Sequence, residues 1–285
     1  MRISEILKAN PQGVSFEFFP PKTEKAQEAL RATYAVLKKY KPLYVSMTYG
    51  AGGTTQNTTR EGVDILVQAK DAEVMPHLTC IGAKRAGIAA LLQQYHDRGI
   101  ENIMALRGDP PRDGRPCDLS GKDFCYASDL VAFIRSQNSF CTGIAVYPEG
   151  HIESASIEQD AEITRKKIDA GAEFAVTQMF FDNRYYFRMQ ERFRAAGITI
   201  PVLPGILPLT DVAKVKQFAA IARTTIPRHI ETAMSRFADS PEDMEKLGIE
   251  FTIAQCRELR EAGIGRLHFF TLNRPSVMET ILKAL

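Results

Sequence analysis

Apolar positions along this chain switch repeatedly between two periods. Val14-Ser15-Phe16-Glu17-Phe18-Phe19 reads as a strand that Pro20-Pro21 breaks. Ala26, Ala29, Leu30, Tyr34 and Leu37 then recur at helical spacing through 24–40. The same change follows again and again, with strand-like runs near 43–48, 74–80, 102–106, 142–147, 173–178, 200–206 and 266–271. Segments of helical period separate them, such as the one carrying Tyr186, Met189 and Phe193. Counting the first run, the pattern predicts eight strands. A short amphipathic helix over 3–9 is expected to plug the bottom of a barrel.

The joins between helix and strand repeat as well. Gly99-Ile100, Gly171-Ala172, Gly197-Ile198 and Gly263-Ile264 each close a helical segment just before a strand. Glycine there supplies the left-handed conformation that ends a helix cleanly. A recurring helix–Gly–strand joint within eight alternations predicts an α/β fold, a (β/α)8 TIM barrel, spanning 1–285 as a single catalytic domain. A doubly wound open sheet is the alternative. No Gly-x-Gly-x-x-Gly opens a helix, and Gly50-Ala51-Gly52-Gly53 lacks that spacing, which argues against a dinucleotide-binding sheet. Two stretches exceed a minimal barrel. Residues 108–127, rich in Pro and Gly, read as a long loop over the active face that ends at an N-cap, Ser128 or Asp129. Residues 209–265 hold two or three extra helices between strands seven and eight.

Composition narrows the class without choosing the chemistry. The 285 residues are 45% hydrophobic and 25% charged, enough for a sizeable core without staples. A net charge of +2 offers no footprint for nucleic acid or a membrane surface. The five cysteines contain no C-x-x-C pair and read as free thiols of a reducing compartment. No signal-peptide core opens the chain and no apolar run approaches a membrane span, so a cytoplasmic protein is expected.

Position is what makes the polar residues informative. The strand ends carry Glu17, Thr48-Tyr49, His77 with Thr79, Arg107-Gly108-Asp109, Tyr147, Gln178 and Asn273-Arg274. In a barrel these converge on the carboxyl-end face, where barrel enzymes hold their sites. Singly, His77 after a proline reads more readily as a structural histidine than as a ligand, and Gln178 as a strand cap. Glu17, flanked by Phe16, Phe18 and Phe19, is expected to be buried with a raised pKa, as suits a general acid. The five histidines show no ligand spacing, so no metal is expected, and no Gly-x-Ser-x-Gly or strand-end lysine marks a nucleophile. The aromatics, amides, arginine and carboxylates that remain suit a large planar ligand whose own chemistry performs the difficult step. After Tyr147-Pro148-Glu149-Gly150-His151 a helix opens near Ser156 and carries Asp160 and Lys167 on one face. That pair reads either as a diphosphate and ribose site or as a solvated helix face.

Several of these stretches together resemble methylenetetrahydrofolate reductase. They are Ser15-Phe16-Glu17-Phe18-Phe19-Pro20-Pro21, Thr48-Tyr49-Gly50-Ala51-Gly52-Gly53, His77-Leu78-Thr79-Cys80 and Ala105-Leu106-Arg107-Gly108-Asp109. Tyr126-Ala127-Ser128-Asp129-Leu130, Tyr147-Pro148-Glu149, Thr177-Gln178, Pro204-Gly205-Ile206 and Thr271-Leu272-Asn273-Arg274 continue the likeness in order to about residue 275. The resemblance implies a (β/α)8 barrel holding FAD non-covalently. NADH or NADPH reduces the flavin and leaves, and methylenetetrahydrofolate then takes the hydride in a ping-pong cycle. Glu17 would be the general acid that helps open the five-membered ring. Asp109 would tune the flavin and pair with the pterin, and Gln178 would bond the pterin or the nicotinamide. Thr48 would place the nicotinamide. Tyr49, Ala51, His77, Arg107, Gly108, Asp109, Tyr126, Ala127, Tyr147, His151, Asp160 and Lys167 match FAD contacts, Gly108 by close approach of its backbone to the ring.

On the substrate side the resemblance implies Phe218 as an aromatic that stacks on folate and Arg274 as a folate contact. Lys214 stands where some bacterial members have a glutamine, and a lysine there would favour the anionic glutamate tail. A homo-oligomer, dimer or tetramer, is expected from the family. The chain ends at Leu285, so no carboxyl-terminal domain for S-adenosylmethionine is expected. Three alternatives stand beside this reading: another flavin barrel oxidoreductase such as a proline dehydrogenase, a flavin-free folate methyl transferase, and a non-catalytic binding module.

Overall fold

In the computed structural model of the chain, the described residues are 1–49, 56–108, 122–137 and 140–285. A first helix, α1 (Ile3–Ala9), precedes β1 (Gly13–Phe18), β2 (Val45–Met47), β3 (Val74–Thr79), β4 (Asn102–Leu106), β5 (Cys141–Val146) and β6 (Phe174–Thr177). The remaining strands are β7 (Val202–Leu203), β8 (Gly205–Ile206) and β9 (Arg266–Phe270). Helices α2 (Glu24–Leu37), α3 (Gln56–Ala69), α4 (Arg85–Asp97), α5 (Ala127–Gln137), α6 (Ile157–Asp169) and α7 (Asn183–Ala195) fill the crossovers. All strand pairs are parallel, in the order β7-β6-β5-β4-β3-β2-β1-β9-β8.

The single seventh strand expected over 200–206 is instead two short ones, β7 and β8, divided at Pro204. Proline has no N–H to give a ladder. Its carbonyl still accepts from His268 N at 3.0 Å, so the chain passes from β6 on one side to β9 on the other. That passage closes the ring, and the fold is a (β/α)8 barrel. The four predicted joints hold: Gly99, Gly171, Gly197 and Gly263 have φ of 75°, 124°, 66° and 86°. Helix α5 departs from its predicted cap. It begins at Ala127, and Asp129 from within the first turn accepts from the Cys125 and Tyr126 amides.

Alternation along the strands sorts side chains into two populations. Phe16, Phe18, Val45, Leu267 and Phe269 join the large core between barrel and helices. Tyr44, Met75, Met104 and Phe174 fill the lower interior with Ile3, Ile6 and Leu7 of α1, which plugs the barrel as expected. The plug is also hydrogen-bonded: Ile3 N donates to Asn102 Oδ1 at 2.7 Å and Ser4 Oγ to Glu173 at 2.7 Å.

Between β8 and β9 lie three helices, α8 (Val212–Ala222), α9 (Arg228–Arg236) and α10 (Pro241–Glu261), and α11 (Pro275–Ala284) ends the chain. Their apolar faces meet Met179, Phe181, Leu207 and Leu209 in a second core above the strand ends. Glycine permits the seating of α10. A Cβ on Gly248 would lie 1.9 Å from the Leu209 carbonyl oxygen, so only a bare backbone fits.

Leu7 is fully buried in the plug. Replacing it with alanine removes apolar contacts from a site with little room to collapse, and a loss of about 2–5 kcal/mol is expected in urea unfolding. A loss under roughly 1 kcal/mol would mean that α1 covers the barrel without supporting it.

Candidate active site

The strand ends meet, as predicted, at one mouth, and its floor is polar. On β1 the outward Phe16 and Phe18 force Glu17 inward, between strands whose partners in register are Ser46 and Phe270. Glu17 Oε2 lies 3.2 Å from His268 Nε2 on β9 and 3.3 Å from His77 Nε2 on β3. The first contact is an aligned hydrogen bond. The second is off the line a hydrogen bond needs, and His77 Nε2, buried, has no aligned partner among the described residues. His268 is fixed from behind: its Nδ1 lies 2.8 Å from Ser15 Oγ, and the Tyr44 ring stacks on it at 5.7 Å.

This geometry overturns the raised pKa expected for Glu17. Burial does push its carboxyl up, but the charge of His77, the hydrogen bond from His268 and their combined field hold it down at about 2. Its sequence neighbours are apolar, so nothing local to β1 revealed the two imidazoles. Thr271 adds a further tie, donating its hydroxyl to the Glu17 carbonyl at 2.7 Å.

A second cluster gathers around β4 and β5. Arg107 grips Glu153 with both Nη atoms at 2.5 and 2.6 Å. Gly108 follows with φ +87°, and a Cβ there would meet Thr79 at 2.9 Å, so the protein itself already requires this glycine. Tyr147 lies edge-on to His151 at 4.6 Å, with the Lys167 ammonium 5.8 Å from the Tyr147 ring centroid. Lys167 Nζ donates to the Ala145 carbonyl at 3.0 Å. Asp160, 5% exposed, accepts from His151 N and Ser154 Oγ. The solvated-face reading of Asp160 and Lys167 is thereby excluded. Burial lowers Lys167 to about 8 against the pull of Asp160, and burial with Arg107 lowers His151. Tyr126, 54% exposed, directly precedes buried Ala127, the first residue of α5, and its carbonyl accepts from the Cys80 thiol.

The other predicted residues fall around the same rim. Thr48 N donates to the Phe18 carbonyl, and half-buried Tyr49 packs on the outer core. Gln178 follows β6, its Oε1 accepting from Met179 N at 3.0 Å. Phe218 on α8 packs on the upper core, while Lys214 is exposed and 3.4 Å from Asp211. Arg274 donates to Thr210 at 2.8 Å and pairs with Glu245, so it ties α10 to the start of α11. Asn273 clasps the Phe19 backbone through both its N–H and its carbonyl oxygen. Asp109 and Ala51 lie outside the described residues.

Sequence reasoning missed His268, Ser15, Tyr44 and Glu153. His268 had a usable signal, since it sits between outward Leu267 and Phe269 and so must point into the barrel. Glu153 had none, because its role depends on a loop meeting a distant strand end.

Comparison with known proteins identifies the family and agrees with the fold. The sequence profile of the methylenetetrahydrofolate reductase family matches residues 2–285. The 5,10-methylenetetrahydrofolate reductase of Pectobacterium carotovorum is 36% identical over 272 residues, covering 95% of this chain and 89% of that one. Methylenetetrahydrofolate reductase 1 of Schizosaccharomyces pombe is 36% identical over 274 residues, covering 95% of this chain and 45% of its own. Among solved structures, an uncharacterized protein from Clostridium thermocellum that binds two copies of 5-methyl-5,6,7,8-tetrahydrofolic acid shares the fold. It superposes with a TM-score of 0.67 at 14% identity over 100% of this chain and 98% of its own. With a family match along residues 2–285 and a relative 36% identical over 95% of its length, the chain belongs to the methylenetetrahydrofolate reductase family.

Proposed function

We propose that this protein reduces 5,10-methylenetetrahydrofolate to 5-methyltetrahydrofolate, reversibly, with electrons from NADH or NADPH carried by non-covalent FAD in a ping-pong cycle. The observation that carries the reading is the carboxylate of Glu17 buried between His77 and His268 at the mouth of a barrel of this family.

The donor set fits a flavin dinucleotide. His77 Nε2 is a buried polar atom without an aligned partner among the described residues, and Arg107 holds a carboxylate in the forked geometry that also suits phosphate. The inward ammonium of Lys167 supplies a second positive charge. Arg107, Lys167, His151 and Asp160 would hold the diphosphate and ribose side. Thr48, Tyr49, Ala51, His77, Gly108, Tyr126, Ala127 and Tyr147 would line the rest. When bound and first reduced by NADH or NADPH, FAD would supply the hydride that reduces the methylene carbon.

The protein's part is the proton and the pose. Opening the substrate's five-membered ring puts negative charge on a ring nitrogen unless a proton arrives with it. The imidazoles of His77 and His268, 3.3 and 3.2 Å from Glu17, are the nearest groups able to pass it one. Water leaving the mouth as the substrate enters favours the neutral carboxyl, because a buried carboxylate costs more without water. The proton then sits on Glu17, facing the substrate, and His77 and His268 are its reserve. From the resemblance, Asp109 and Gln178 would hold the pterin edge, Phe218 would stack on the substrate, Lys214 would favour its anionic tail, and Arg274, tied to Thr210 and Glu245, would touch the folate from the rim.

Glu17→Gln removes the proton and keeps the shape. Flavin binding and its reduction by NADH are expected to stay at parent rates in anaerobic rapid mixing. Hydride transfer to the folate is expected to slow by about 10²–10⁴-fold. Equal folate turnover in variant and parent would sink the proton-donor role.

Lys167 gives a second test. It is cationic below about 8 in the free protein, and a bound diphosphate favours the cation. Binding FAD therefore takes up a proton near that pH, and affinity is expected to fall as pH rises from 7 to 9. Lys167→Met is expected to bind more weakly with a flat pH profile. A parent profile equally flat, measured by flavin fluorescence, would remove Lys167 from the diphosphate site.

A further inference from the structure

We propose that Glu149 is a positioning residue that fixes the folate-facing helix α8 over the barrel mouth. The inference rests on the reading that Phe218 and Lys214 of α8 meet folate. Glu149 follows β5 by three residues and is half-buried. Both its oxygens accept from a single donor, the backbone N–H of Thr225, at 3.0 and 3.1 Å. Thr225 lies in the turn between α8 and α9, 76 residues further along the chain.

The adjacent residue makes a second tie to the mouth. Thr224 Oγ1 donates to the Met179 carbonyl at 3.2 Å, directly after Gln178 at the end of β6. Ile226 of the same turn packs on the upper core, while Thr225 itself is exposed. An open cleft of about 600 Å³ separates it from the start of α7, lined by Asp182, Arg184, Tyr185, Arg228 and His229. The carboxyl end of α8 is thus held by polar ties to the segments after β5 and β6 in addition to the packing of Ala222 and Ile226. Its apolar face, with Phe218, rests on the upper core.

The chemistry of Glu149 fits this use. Among the described residues no lysine, arginine or histidine lies within ion-pair distance of it. Burial pushes its carboxyl up, the Thr225 N–H pulls it back, and nearby Asp182 pushes it up again. A half-buried carboxylate without a counter-ion costs stability. What it fixes here is one turn, and through that turn the helix that closes the substrate side. The Tyr147-Pro148-Glu149 motif thus splits its work: Tyr147 faces Lys167 and His151, while Glu149 reaches across to α8.

The test uses the FAD-loaded parent with Glu149→Ala and Glu149→Gln. In Glu149→Ala, amide hydrogen exchange over 212–226 is expected to rise about tenfold while β5 and β6 are unchanged. The KM for methylenetetrahydrofolate is expected to rise about tenfold, with kcat and flavin reduction by NADH within about twofold of the parent. Glu149→Gln keeps an acceptor of the same size and is expected to recover most of both losses. Unchanged exchange over 212–226 would overturn the latch. Flavin reduction falling in step with folate turnover would overturn the positioning role in favour of general loosening. If the parent reduces its flavin with NADH yet ignores the folate, the link to substrate fails, while the exchange data still decide the latch.

Discussion

Glu17 sits inside a parallel barrel, where an ionised carboxylate without partners would cost several kcal/mol in lost hydration. Its partners come from β3 and β9, which the chain supplies roughly 60 and 251 residues later. β9 lies beside β1 because the strands form a closed ring, and the passage through Pro204 completes that ring. The buried anion and the closure of the barrel therefore depend on each other. His268 in turn is held by Ser15 and Tyr44 from the layer beneath, so the polar floor is braced by the same interior that α1 plugs.

Above that floor the mouth divides its tasks between different strand ends. Glu17, His77 and His268 lie on β1, β3 and β9. Arg107, His151, Asp160 and Lys167 gather around β4 and β5. The three helices between β8 and β9 add an apolar wall, tied to the rim by Arg274 and Glu245 and by Glu149 and Thr225. One loop, after β5, contributes to two of these regions at once. Its residues face the cations through His151 and Glu153 and the helical wall through Glu149.

Much of the fold was legible because its signals are local. Alternation on β1, helical spacing on α2 and α7, and the glycine joints each depend on a few consecutive residues. The split at Pro204 was visible as a proline, but which neighbour each half would pair with was a matter of closure. The site was legible as a set of strand ends and less so as chemistry. Glu17 was found from its apolar flanks, and those flanks suggested a raised pKa, because the imidazoles that reverse it lie far away in sequence. Asp160 and Lys167 were found from helix spacing, while their burial depends on the loop that folds over Asp160 through His151 and Ser154. Arg274 was read toward the ligand, and in the structure it spends its donors on Thr210 and Glu245.

The central claim is that this mouth passes a hydride from a nicotinamide to a folate through a bound flavin. The most direct measurement is the anaerobic visible spectrum of the purified protein, followed in one cuvette. The account predicts a flavin band that bleaches on adding NADH or NADPH and returns on adding methylenetetrahydrofolate. A protein that stays colourless after incubation with FAD, or a bleached flavin that methylenetetrahydrofolate leaves unchanged, would contradict it.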